Sequence, residues 1–171
     1  MVKSGNTAFR SANLQRRHAD TIEIANYRQS SANTCGPASL RIALRILGLD
    51  LEETWLAARM EVTSLGTKPS GFRKVLRSLG LGFTEIHNAT VDEVWQFVRK
   101  GFPVVVSWMF RCDGHYSVVV GITHESITLA EPYGGSLIQL DNSRFEMLWY
   151  DPCNKTTAWM MAIGAGRHKY R

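Results

Sequence analysis

Gln29-Ser30-Ser31-Ala32-Asn33-Thr34-Cys35-Gly36-Pro37-Ala38-Ser39-Leu40 places a cysteine just ahead of an expected helix start, with a glutamine six residues upstream. At a helix N-terminus unpaired backbone N–H groups and the helix dipole favour a thiolate. Gly36 gives room at the turn, and Pro37 suits the first helical position because its missing N–H has no intrahelical partner there. Ala38 to Leu47 reads as a buried helix, with Leu40, Ala43, Leu44 and Leu47 on one stripe and Gly48 as its C-cap. A thiolate nucleophile needs a base, and Gly114-His115-Tyr116 opens an apolar strand running to Gly121. Ala130-Glu131-Pro132 follows with a carboxylate able to orient that histidine. Cysteine nucleophile, histidine base and acidic orienter together make a hydrolase constellation.

Working outward, the chain of 171 residues is one domain, long enough to bury a core, and its 44% apolar and 20% charged residues describe a globular protein. Pro103 to Met109 and Tyr116 to Ile122 are strand-sized, far short of the roughly 20 residues of a membrane span, so a soluble protein with no membrane span is expected. The formal charge of +5 belongs to the tails. Lys3, Arg10, Arg16, Arg17, Arg167, Lys169 and Arg171 are seven of the 20 basic residues, which leaves 13 against 15 acidic and a net charge of −2 for the body. That distribution argues against nucleic acid as a partner. The N-terminal tail lacks the hydrophobic stretch of a secretory signal; its Arg, its Ser and its freedom from acid before Asp20 superficially resemble an organellar transit peptide, and a solvated arm is the plainer reading. Three cysteines are too few and odd in number for a disulfide framework and suit a reducing, cytoplasmic compartment.

No repeat or linker divides the chain. We expect a flexible basic arm over 1–21, one folded domain over 22–166 and a basic tail over 167–171. A short strand is expected at Ile22 to Asn26. Asp50-Leu51-Glu52-Glu53 reads as a capping-box-like start of a helix to Met60, and Gly66 to Gly71 as a loop. An amphipathic helix follows with Phe72, Val75, Leu76 and Leu79 inside and Arg73, Lys74 and Arg77 outside, then a strand at Phe83 to Ile86. Thr90-Val91-Asp92-Glu93 is a second capping box, ahead of a helix burying Val91, Val94, Trp95 and Val98. From Pro103 the pattern changes to strands at Val104–Met109, His115–Thr123, Ser126–Ala130 and Ser136–Leu140, with turns at Asp113-Gly114, His124-Glu125 and Gly134-Gly135. A short helix opens at Ser143, and Thr156 to Ile163 reads as a closing strand. Helices first and an antiparallel sheet after give an α+β fold, with the cysteine helix packed on the sheet that carries the histidine.

In the expected site Cys35 attacks a carbonyl carbon and His115 holds the proton. An ion pair with His115 keeps Cys35 ionised near neutral pH, and Glu131 fixes the imidazole tautomer. The backbone N–H of Cys35 and the side-chain amide of Gln29 are the oxyanion donors, each worth about 2.7–4 kcal/mol in comparable sites. Asp113 is the rival orienter, although neighbours along a strand point to opposite faces. Cys112-Asp113-Gly114-His115 has a Cys-x-x-His spacing, with Cys153 and His87 as the candidate further ligands, but no second paired cluster exists; no metal and no cofactor is expected, and Cys112 and Cys153 read as spectators. Trp108 and Tyr116 are core aromatics or cleft lining, and the polar stretch Thr63 to Ser70 is placed to cover the cleft.

Tyr27-Arg28-Gln29, Thr34 to Leu40, Pro103 to Trp108, Gly114 to Val119 and Glu131-Pro132, in that order and spacing, resemble the papain-like cysteine peptidases. Within them the motifs are most similar to the bacteriocin-processing, double-glycine leader peptidase family, over about residues 24–150 and including the Phe145-to-Trp149 stretch. The resemblance implies a papain-like fold with Gln29 as oxyanion donor, Cys35 as nucleophile and His115 as base. The family usually has Asp-Pro where this chain has Glu131-Pro132. Its best-known members are N-terminal domains of peptide-exporting transporters, and this chain looks like a stand-alone relative. Three functions remain open: a peptidase acting on a peptide or protein with small residues at the cleavage point, an acyl transferase resolving the same thioester with an amine, and a peptide-binding module without turnover.

Overall fold

A computed structural model of the chain describes residues 20–21, 27–164 and 169–170. The strand expected at 22–26 and nearly all of the two basic tails lie outside the described residues.

Three helices come first: α1 (Cys35–Ile46), α2 (Glu53–Met60) and α3 (Pro69–Ser78). The sheet then builds from β2 (Phe83–Ile86), β3 (Val104–Phe110), β4 (Asp113–Ile122), β5 (Ser126–Glu131), β6 (Ser136–Asp141) and β9 (Trp159–Ile163). A short β1 (Asp20–Thr21) pairs with β4, and β10 (Lys169–Tyr170) runs parallel to β2 at the edge. Along the sheet the order is β10-β2-β9-β3-β4-β5-β6, so the last long strand inserts between the first and the second. Between elements of the sheet lie α4 (Val91–Val98) and α5 (Asn142–Leu148), and β7 (Tyr150–Asp151) pairs with β8 (Thr156–Thr157) in a small ribbon.

Side-chain alternation explains how one sheet carries two cores. Val105, Tyr116, Val118, Val120, Met161 and Ile163 face α1, α2 and α3 and meet Leu40, Leu44, Leu56, Phe72 and Leu76. Val104, Val106, Trp108, Val119, Met160 and Ala162 face the other way, under Val94, Val98, Phe145 and Trp149. A sheet covered on both faces needs apolar residues at every position, which is why Val104-Val105-Val106 and Val118-Val119-Val120 are unbroken valine runs. Each fully buried Leu, Val or Phe contributes roughly 1.5–3 kcal/mol relative to exposure.

The α+β arrangement, the cysteine helix on the sheet and the Thr90–Glu93 capping box match the reading from sequence, the box closing in both directions. Four local boundaries differ. α1 begins at Cys35 itself, so Pro37 is the third helical residue; its missing N–H still has no acceptor there. α2 begins at Glu53 without a side-chain cap, because Asp50 is drawn off by Arg41 and Arg45 at 3.0 and 2.9 Å. The β3–β4 turn is Arg111-Cys112, and Asp113 and Gly114 lie inside β4. The closing strand breaks in two at Ala158, which has φ of 44°.

Candidate active site

Cys35 is the first residue of α1, 8% exposed. The preceding Thr34 does not cap the helix: its hydroxyl donates to Ser31 O at 3.0 Å and accepts from Ser31 N at 3.1 Å. The first turn of α1 therefore has no side-chain acceptor on its N–H groups, and the positive end of the helix is open beside the thiol.

His115, 7% exposed, stands near the start of β4 across from Trp108 of β3. Its Nε2 lies 2.8 Å from Oε1 of Glu131 at the end of β5. That contact leaves Nδ1 as the ring nitrogen not engaged by Glu131, and Cys35 is the other group whose influence raises the imidazole. Burial works against a charged ring, but the hydrogen bonds and charges of Cys35 and Glu131 outweigh it and push His115 up to about 9. Glu131, 2% exposed, is a carboxylate in a built cradle: burial opposes its charge, while His115, the Gly134 N–H at 2.8 Å and the Tyr133 N–H together hold it below its ordinary range. Asp113 is turned elsewhere, accepting from Gly114 N at 2.8 Å and from the Cys153 thiol at 3.5 Å.

Gln29 reaches the site through its backbone. Its N–H donates to Pro132 O at 2.7 Å, next to Glu131. Its side-chain Nε2 donates to Ser31 O at 2.6 Å and Ala32 O at 3.2 Å, and Oε1 is buried with no partner. An unpaired buried carbonyl costs about 1–3 kcal/mol, so this amide is held in a poorly satisfied position.

Sequence reasoning passed over the groups that hold these segments in place. Glu53 is buried in the first turn of α2 and accepts from Tyr27 Oη at 2.6 Å, Ser30 Oγ at 2.7 Å and Ser30 N at 3.1 Å. Arg41, buried on α1, joins Tyr27 to Asp50 and Glu52. The stretch of residues 27–30 is thus clamped to the helices, and an arginine within an apolar helical stripe was the only signal of it. Asp151 is buried, makes no ion pair among the described residues, and accepts from Ser107 Oγ at 2.6 Å, Cys153 N at 2.9 Å and Asn154 Nδ2 at 2.8 Å. Asn154 and Tyr116 both donate to Thr67 O, at 3.4 and 3.2 Å. Burial, followed by the charges of Asp151 and Cys35, raises the Tyr116 phenol well above its ordinary value.

The Thr63–Ser70 stretch flanks the start of α1. Thr63 and Gly66 close a tight bridge, Asn33 Nδ2 donates to Thr63 O at 2.7 Å, and Thr67 rests on Gly36. Trp108 and Tyr116 are both buried, Trp108 donating to Ser117 Oγ at 3.0 Å. Among the described residues no group of three or more His, Cys, Asp or Glu converges as a metal site, and no helix is long and apolar enough to cross a membrane.

Comparison with known proteins agrees with this architecture. The chain is 31% identical over 109 residues to an uncharacterized protein of Methanothermobacter thermautotrophicus, covering 64% of this chain and 72% of that protein. Its fold is shared with the peptidase domain of Streptococcus ComA, a bifunctional ABC transporter involved in a quorum-sensing pathway, at a TM-score of 0.67 and 17% identity, covering 83% of this chain and 97% of that one. It is shared too with a double glycine motif protease from an AMS/PCAT transporter, solved in complex with the leader peptide, at a TM-score of 0.64 and 18% identity, covering 84% and 92%. Fold and family together support a cysteine-peptidase type of function. Over residues 21–158 the sequence matches the Peptidase_C39 like family, and the chain belongs to it.

Proposed function

We infer that this protein is a cysteine peptidase whose working groups are Cys35, His115, Glu131 and Gln29. The observation that carries the reading is the buried His115–Glu131 pair at 2.8 Å, with Cys35, at the uncapped start of α1, among the groups that raise the same imidazole. Cys35 gives its proton to His115 and its sulfur attacks the scissile carbonyl carbon, forming a tetrahedral oxyanion. His115 then passes that proton to the departing amine and a thioester remains. Water, losing a proton to the same ring, attacks the thioester; the acid leaves and the thiol is restored. Glu131 holds the Nε2–H bond throughout, which keeps Nδ1 aimed at sulfur and stabilises the imidazolium. The Cys35 N–H is one oxyanion donor, and Gln29, released from Ser31 and Ala32, is the second.

The substrate we infer is a peptide with small residues at the cleavage point, by likeness to the double glycine motif protease, and the enzyme would act in the cytoplasm without nucleic acid. The test is incubation of Gly-Gly-containing peptides with wild type and Cys35→Ala, products being weighed by mass spectrometry. Cleavage by wild type alone supports the reading; cleavage that survives in Cys35→Ala, or peptides left whole by wild type, would sink it. Added amine separates hydrolysis from acyl transfer, because a transferase yields the amide in place of the acid. Gln29→Ala should lower kcat about 10²–10³-fold if its amide serves the oxyanion.

A further inference from the structure

Beside the His115–Glu131 pair stands a cation that none of these steps uses. The β3–β4 hairpin closes on two residues, Arg111 and Cys112, between the paired Phe110 and Asp113. Both have positive φ, 51° and 66°. Turns of this kind are ordinarily Asn-Gly or Asp-Gly, since the left-handed conformation costs other residues roughly 1–2 kcal/mol each. Arginine occupies the position nonetheless. Its guanidinium lies 5.4 Å from the centroid of the Phe110 ring and 5.1 Å from that of Tyr133.

Those rings connect the cation to the site. Phe110 meets Tyr133 edge-on with centroids 6.3 Å apart, and lies 5.0 Å from the His115 ring. Tyr133 is fixed by its N–H on Glu131 and is 44% exposed. Ring faces orient a guanidinium without neutralising it. No carboxylate of the described residues forms an ion pair with Arg111. The neighbouring acids are already engaged: Asp113 by Gly114 and Cys153, Glu131 by His115, Tyr133 and Gly134. A pre-oriented planar fork of N–H donors, with no ion pair to an acid of the described residues, is suited to a carboxylate brought from outside.

We propose that Arg111, seated on Phe110 and Tyr133 beside His115, is a specificity-determining residue that selects peptides carrying an aspartate or glutamate side chain close to the scissile bond. The proposal deepens the peptidase reading and rests on it, because a peptide cleaved at Cys35 and His115 must pass beside the Phe110 and Tyr133 rings that carry Arg111.

The test separates binding from turnover. Full-length Cys35→Ala protein is titrated, with fluorescence anisotropy as readout, against labelled Gly-Gly-centred peptides that differ only in Glu or Lys at one position, moved stepwise to either side. At one position the Glu peptide should bind about five- to tenfold tighter, and the gap should narrow with salt. Adding Arg111→Gln should abolish the preference, Arg111→Glu should reverse it, and Arg111→Lys should keep part of it. Equal binding of Glu and Lys peptides at every position, a preference that persists in Arg111→Gln, or no binding by any peptide overturns the proposal. Peptides bound with the preference but left whole by the wild type would count against the peptidase reading and leave the selectivity standing.

Discussion

Thr67 lies against Gly36 so closely that a Cβ on the glycine would come within 2.5 Å of Oγ1, 2.6 Å of Cβ and 2.9 Å of Cγ2. The glycine directly after Cys35 is therefore where the 63–67 loop docks on α1. Thr67 cannot swing away freely, since its carbonyl accepts from Tyr116 and Asn154. Gly36→Ala should destabilise the fold by about 1–3 kcal/mol through overpacking and slow any Cys35 chemistry by displacing the start of α1. Urea unfolding reads the loss, and Thr67→Ala placed on Gly36→Ala should recover part of it; additive losses in the double variant would contradict the contact.

Glu131 is the only carboxylate on His115 among the described residues, and two backbone N–H groups hold it there. Glu131→Gln keeps the shape but turns an acceptor into a group that can present N–H to the ring and to Tyr133 and Gly134. Peptide cleavage should fall by two orders of magnitude or more, on the scale of comparable triads, with protein stability also reduced by about 1–3 kcal/mol. Steady-state kcat set beside the unfolding free energy separates the two effects.

The raised His115 gives the pH dependence its sign. A histidine held at about 9 against an ordinary 6.5 favours the folded state fully below pH 6.5 and loses that contribution as pH climbs through 9. Glu131, held below its ordinary range, contributes above that range and loses its contribution as acid protonates it. Unfolding free energy should decline by roughly 2–3 kcal/mol between pH 6.5 and 9. His115→Gln should flatten that slope, and a wild-type curve level across this interval would contradict the pairing.

Asp151 accepts every hydrogen bond it makes, from Ser107, Cys153, Asn154 N at 3.1 Å and Asn154 Nδ2. Asp151→Asn would set an NH₂ against donors in a buried place, at a cost of about 1–3 kcal/mol. The same residue explains Gly114, where a Cβ would stand 2.1 Å from Asp151 Oδ1, so Gly114→Ala should be no milder. Thermal unfolding of both variants makes the check, and losses within a few tenths of a kcal/mol in either would refute the contact.

Much of this arrangement was legible because it is local. The Thr90–Glu93 capping box, the amphipathic stripe of Phe72, Val75 and Leu76 and the strand-length valine runs declare themselves within a few residues. Where the local reading failed, a distant partner had prevailed. Asp50 looks like a cap until Arg41 and Arg45 claim it, and Asp113-Gly114 looks like a turn until Asp151 supplies the reason for the glycine. Arg111-Cys112 carries no turn signature at all, since neither residue favours positive φ.

The order of Gln29, Cys35, His115 and Glu131 along the chain, and the helix and strands on which the last three stand, follow from the sequence alone, because cysteine, histidine and glutamate each sit in short patterns whose backbone preferences are their own. Only the tertiary structure decided that Glu131 rather than Asp113 meets His115, that Gln29 turns its amide onto Ser31 and Ala32, and that Arg111 stands over Phe110 and Tyr133 with no ion pair to an acid of the described residues. Which side chains meet depends on strand order and on the insertion of β9 between β2 and β3, contacts between residues far apart in the chain that no local propensity encodes.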